Sequence, residues 1–163
     1  MAATPLPSTT RYFDVNTTRV YWVEEIADKT APTREELDAG VDLSGEIADF
    51  SGFTVTAEEI ETPDMNSLFT SRIGGRTSAE DSSLTLYGDI NGQDVTEVMA
   101  RGDNGFIVWL DGGDVPGNKM DVYPVRVRSI SRQRSLSEAS RVLVEFSVTS
   151  EPAEGVTVPA EGS

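Results

Sequence analysis

Residues 141–149, RVLVEFSVT, alternate apolar and polar side chains with period two: Val142, Val144, Phe146 and Val148 fall on one side of an extended chain, and Arg141, Glu145, Ser147 and Thr149 on the other. Only Leu143 breaks the pattern. A helix would scatter these apolar residues around its circumference, so the segment is a strand with one buried face. The same period recurs in FTVTA, where Phe53, Val55 and Ala57 oppose Thr54 and Thr56, and in SLTLYGD, where Leu84 and Leu86 oppose Thr85 and Tyr87. VYWV (20–23), GFIVWL (105–110) and MDVYPVRVRSIS (120–131) carry more apolar residues and read as strands, the first paired on both sides and the second central in its sheet. Pro124 has no N–H, which places its part of the third at a strand start, an edge or a bulge.

Helix is a minority. In APTREELDAG, Thr33 is an N-cap with Glu36 closing a capping box and Gly40 as the stop, giving a short helix over Arg34–Ala39. In QDVTEVMARG, Asp94 and Glu97 form a similar box before Val95, Val98 and Met99 on one face, with Gly102 as the stop and two turns at most. With about six or seven strands and turn signals such as DGGDVPGN, the expected fold is mainly β: an antiparallel β-sandwich or barrel-like domain with one flanking short α-helix. The 163 residues suffice for one such domain, expected over 19–149. Residues 1–18 and 150–163 lack periodicity and read as an N-terminal arm and a C-terminal tail, ordered only by a partner.

Composition removes much ordinary chemistry. The chain has no His and no Cys, so the commonest general base, the commonest metal ligand, thiolates and disulfides are all missing. No apolar run approaches the length of a membrane span, and no signal peptide is recognisable. RIGGRT fits neither phosphate-loop spacing, and Asp111, Asp114 and Asp121 lack the twelve-residue calcium-loop pattern. Neither Lys29 nor Lys119 sits in a Ser-Lys motif, adjacent acids such as Glu24 and Glu25 do not make a catalytic pair, and the RGD at 101–103 reads as a helix stop. No catalytic residue, metal site or cofactor is expected.

Two features ask for a partner. Between FTVTA and SLTLYGD lies a loop over 58–82, far longer than a hairpin connection. It carries Ile60, Met65, Leu68, Phe69 and Ile73, side chains worth about 1.5–3 kcal/mol each when buried, and so calls for a surface to cover them. The second feature is a contradiction of charge. A chain of net charge −15 places five of its eleven arginines within Arg126–Arg141. Nucleic-acid binding would want interleaved aromatic platforms, and only Tyr123 and Phe146 are near. Read at period two, Arg126, Arg128 and Arg141 lie on polar strand faces with Glu138 and Glu145 as partners, in salt links within the chain or between subunits.

Three blocks resemble the major tail protein, the tail tube subunit, of long-tailed phages of actinobacteria: VYWVEEIADKTAPTREELDAGVDLSGEIADFSGF, ETPDMNSLFTSRIGGRTSAEDSSLTLYGD and RGDNGFIVWLDGGDVPGNKMDVYPVRVRSISRQRS. The likeness runs in order over roughly residues 11–150. It implies a non-catalytic virion protein with a β-sandwich, assembled in the host cytoplasm into hexameric rings that stack as a hollow tube. The resemblance assigns the 58–82 loop to contacts with neighbouring subunits and the tails to bridges between rings. It implies tape-measure protein, tail chaperones and tail terminator as partners, genomic DNA as passing cargo, and no membrane. The alternatives are the tube of a contractile tail or injection system, and a β-sandwich adhesion module using the RGD and the Asp-rich turn.

Overall fold

Strands that are apolar at every position need cover on both faces, and this requirement organises the molecule. The computed structural model describes residues 2–161. In chain order it contains β1 (Arg19–Val23), α1 (Arg34–Asp38), β2 (Val41–Asp42), β3 (Ile47–Ser51), β4 (Val55–Thr62), β5 (Ser71–Ala79), β6 (Ser82–Tyr87), a 3-10 turn (Val95–Glu97), β7 (Asn104–Leu110), β8 (Lys119–Gln133), β9 (Arg141–Val148) and β10 (Ala153–Thr157). All pairings are antiparallel. The principal sheet runs β2-β1-β7-β8-β9-β6-β3, with β10 also on β8.

The two ends of that path are neighbours in sequence. Only Leu43–Glu46 separates β2 from β3, and this turn accepts Tyr87 N–H on Glu46 O at 3.0 Å and donates Leu43 N–H to Val20 O at 2.8 Å. The sheet therefore rolls up, and a turn rather than a strand ladder closes its seam. Inside lie Trp22, Phe53, Leu84, Leu86, Ile107, Val125, Val127, Val142, Val144 and Phe146, all buried. The opposite faces of β1, β7 and β8 present Val23, Val108, Leu110, Met120 and Val122, which Leu37 of α1 covers together with Ala153 and Val158 from the chain end. The mainly β, barrel-like sandwich with one flanking short helix is the observed fold.

Several local expectations change. Ten strands form instead of about six or seven, because β2, β3, β5 and β10 carry no period-two signal of their own and exist through their partners. The 58–82 segment is not an irregular loop: β4 and β5 pair over most of it. The C-terminal tail is not free, since β10 lies on β8 and Val158 is buried in the second core. Thr33 and Glu36 do form the capping box of α1, with Oγ1 to Glu36 N at 3.2 Å and Oε1 to Thr33 N at 2.8 Å. The second box does not form. Asp94 caps a single 3-10 turn alone: its Oδ1 accepts from Thr96 N–H, while Glu97 N–H donates to the Asp94 backbone carbonyl at 3.0 Å, and its Oδ2 accepts from Asp89 N–H and Arg132.

Phe53 departs furthest from its expected role. It does not share a strand face with Val55 and Ala57; Gly52 and Phe53 both take positive φ, 86° and 58°, and turn the ring into the core. For Gly52 this conformation is obligatory, as a Cβ there would lie 2.5 Å from Asp81 O. Gly52→Ala is expected to cost about 1–3 kcal/mol, read as a lowered urea midpoint with unchanged m-value. Val158→Ser, which uncovers the second core, should lower stability by about 1.5–3 kcal/mol in the same experiment.

Candidate assembly surface

β4 and β5 form a two-stranded sheet that pairs with no other strand among the described residues. The register sets Ile60 opposite Ile73, and Glu61 opposite Arg72. One face of the ribbon is thus ionic, with Arg72 3.3 Å from Glu59 and 3.6 Å from Glu61, while the other carries the isoleucine pair. These exposed ion pairs contribute little, roughly 0–1 kcal/mol each. The tip is shaped by Asp64 Oδ1 accepting from Asn66 N at 2.8 Å and Ser67 Oγ accepting from Phe69 N at 3.1 Å. Those turns leave Met65, Leu68 and Phe69 at 104%, 108% and 78% relative exposure. An isolated two-stranded ribbon is marginally stable in water at best, and an apolar tip increases its need for a partner.

The root of the ribbon is rigid. Phe53 N donates to the buried Ser82 Oγ at 2.9 Å, and the Tyr123 hydroxyl donates to Phe53 O at 2.6 Å. The Phe53 ring packs 5.2 Å from Trp109 and 5.4 Å from Tyr123, centroid to centroid. Both strands of the ribbon therefore leave the body from residues locked into the main core. Sequence reasoning missed this anchor, although the Gly-Phe doublet directly before the alternating segment is the signal that marks it.

The arginine cluster is split by a bulge between Val127 and Ser129. Arg128 bridges Asp81 at 3.0 Å and Glu145 at 2.6 Å. Arg141 lies 3.7 Å from Glu138 and 5.8 Å from the centre of the Tyr87 ring. Arg132, across the ladder from buried Val142, reaches Asp94 at 3.4 Å. Arg126 and Arg134 are exposed and make no ion pair among the described residues. Of the acids in the Asp-rich turn, Asp114 is committed to Arg34, accepting from both terminal guanidinium nitrogens at 2.6 Å, and to the Tyr21 hydroxyl at 2.8 Å. The RGD is stitched to β8 by Gly102 N to Val127 O and Val127 N to Asp103 O, each 2.8 Å.

Burial alone would push the Asp94 carboxyl up, but hydrogen bonds from Thr96 and the Asp89 N–H, together with the Arg132 charge, outweigh it and hold it at about 2. A carboxylate depressed in the fold stabilises above its unfolded pKa, near 3.9, and that contribution is lost as pH falls toward 2. Asp94→Asn removes the charge that these donors and Arg132 meet and should therefore destabilise by about 1.5–3 kcal/mol at neutral pH. In urea melts the deficit should shrink progressively below pH 4.

The rolled antiparallel sheet thus carries a ribbon rooted in the core whose apolar tip has no cover among the described residues. The chain belongs to the phage tail tube protein family, whose family model matches residues 6–161. Among solved structures, a chain of the anti-feeding prophage baseplate, determined by cryo-EM with six-fold symmetrisation, is similar with a TM-score of 0.51. At 8% identity, covering 91% of this chain and 95% of that one, the likeness shows a shared fold. No curated protein matches. The protein is thus a structural component of a phage-type tail.

Proposed function

We propose that this chain polymerises as stacked hexameric rings into the hollow tube of a long-tailed phage, the conduit for the genomic DNA. One observation carries the reading: the β4–β5 ribbon projects from a fixed root and exposes Met65, Leu68 and Phe69 beyond an Ile60–Ile73 face, with no cover among the described residues. A neighbouring subunit supplies that cover, each buried side chain contributing about 1.5–3 kcal/mol before the cost of association. Contact between the ribbon of one copy and a different surface of the next is heterologous, which generates rings or filaments rather than closed dimers.

Charge agrees with a conduit. Six copies carry about 90 net negative charges, six times the formal −15 of one chain. Those placed on the channel wall repel DNA and leave it free to slide. Arg126 and Arg134, which make no ion pair among the described residues, belong to subunit contacts in this reading. Tape-measure protein, chaperones and terminator act on the same tube, and actinobacteria are the hosts. Likeness to a chain of the anti-feeding prophage baseplate favours, as a second reading, the tube of a contractile tail or injection machine.

Negative-stain microscopy of concentrated protein tests the polymer. Wild-type protein is expected to form tubes or six-fold rings. The double variant Leu68→Ser, Phe69→Ser should keep the wild-type circular dichroism spectrum and an unfolding free energy within about 0.5 kcal/mol of wild type, as expected for exposed positions, yet form no tubes. Unchanged polymerisation would remove the ribbon tip from the interface.

A further inference from the structure

Beside the seam of the barrel lies an open groove of about 560 Å³, between the turn that closes the sheet and the root of the N-terminal arm. Its wall is aromatic. Phe50, half-exposed on β3, packs edge-on at 5.0 Å from the Trp109 ring, and Trp109 Nε1 is buried with no acceptor. Its rim is acidic, with Asp14, Asp49, Asp111 and Asp121 against one cation, Arg19. The carboxyl of Asp111 is pushed up by burial and then by the charges of Asp121 and Asp14, so the groove already holds more negative charge than it neutralises.

The chain carries a segment of matching chemistry. Residues 2–13, AATPLPSTTRYF, contain Arg11 and no acid. Pro5 and Pro7 fix their own φ and push Thr4 and Leu6 into extended conformations, so the segment favours a polyproline II course. Such a segment has no internal hydrogen bonds, leaves its carbonyls free as acceptors, and docks on aromatic-lined grooves. In the structure the proline segment does not fill its own groove: Leu6 is exposed and without regular structure, and only the end of the arm reaches the groove, with Tyr12 near Asp111 and Asp14, Val15 and Asn16 in the wall. Extended, the stretch from Leu6 to Asp14 spans about 25 Å. That exceeds the roughly 15 Å radius of gyration of a body this size.

We infer that the groove between Phe50 and Trp109 receives the Pro5–Leu6–Pro7 segment of a second copy of this chain, with Arg11 of the incoming arm meeting the Asp49, Asp111 and Asp121 rim. The inference rests on the self-assembly reading and names a contact separate from the ribbon tip. The ribbon itself is the poorer occupant. Over residues 55–79 its charges sum to −2, Glu58, Glu59, Glu61 and Asp64 against Arg72 and Arg76, and an already acidic groove repels that excess.

Because the chain has no cysteine, single cysteines report the contact directly. Leu6→Cys and Phe50→Cys chains are each doped as a minor fraction into wild-type protein under polymerising conditions, oxidised, and run on a non-reducing gel. Asp49→Cys, also on the exposed rim, serves as a second groove position should Phe50→Cys fail to fold. A thiol-reversible dimer between the Leu6→Cys and groove-cysteine chains is expected. Adding Arg11→Glu to the Leu6→Cys chain should lower its yield about tenfold. Tubes that form without this cross-link would overturn the inference and leave the assembly reading standing. So would a cross-link from Met65→Cys to Phe50→Cys in its place, or a monomeric internal disulfide in the Leu6→Cys, Phe50→Cys double variant. Wild-type protein that forms neither tubes nor rings would sink the assembly reading, and the inference with it.

Discussion

The carbonyl of Phe53 accepts from Tyr123 and its N–H donates to Ser82, and on this pair of bonds the barrel and its projection meet. Phe53 sits in a left-handed conformation that an aromatic residue adopts only at a cost. The cost is offset because its ring joins Trp109, Tyr123 and Phe146, and because Ser82, nearly inaccessible, needs a partner as much as Phe53 does. Without that corner, β3 would run straight on and the ribbon would lose its direction relative to the body. The exposed apolar tip is thereby aimed by interactions lying wholly inside the core.

The second organising constraint is the double-sided burial of β1, β7 and β8. A strand reading VYWV cannot face water on either side, so the flanking helix and the chain end serve as lids. Arg34 ties the first lid down through its bidentate contact with Asp114, which also accepts from Tyr21 on the strand beneath. β10 ties down the second by its pairing with the start of β8. The first lid is thus held to β1 and to the turn before β8, and the second to β8 itself, the longest strand.

What the sequence revealed follows from where each signal originates. Val142, Val144 and Phe146 announced a strand because one face is buried inside a single chain, and all three are fully buried. Thr33 announced a helix start because capping is local chemistry. SRIGGRTSA gave no such announcement: β5 buries neither face, and its strand character comes from β4 across the ladder. β10 was hidden for the same reason, since AEGVT owes its conformation to β8. The surplus of apolar residues between Glu58 and Ser82 did mark a surface short of cover, because such a deficit is a property of composition and length rather than of folding. The bulge that splits the arginines is set by tertiary pairing, and no period in the residues around Arg128 foretells it.

The turn Leu43–Glu46 closes the barrel with single hydrogen bonds to Val20 and Tyr87, where every other junction between neighbouring strands is a ladder. A cylinder joined in this way has one compliant line along its length, while the wall opposite, built on β8, is stiff. The arm root at Asp14–Thr18, the ribbon root at Gly52–Phe53 and the turn itself all border the same groove. Strain arriving through either appendage is thus delivered to the side of the barrel that can yield without breaking a ladder. Small adjustments can be absorbed there while the hydrophobic interior keeps its packing.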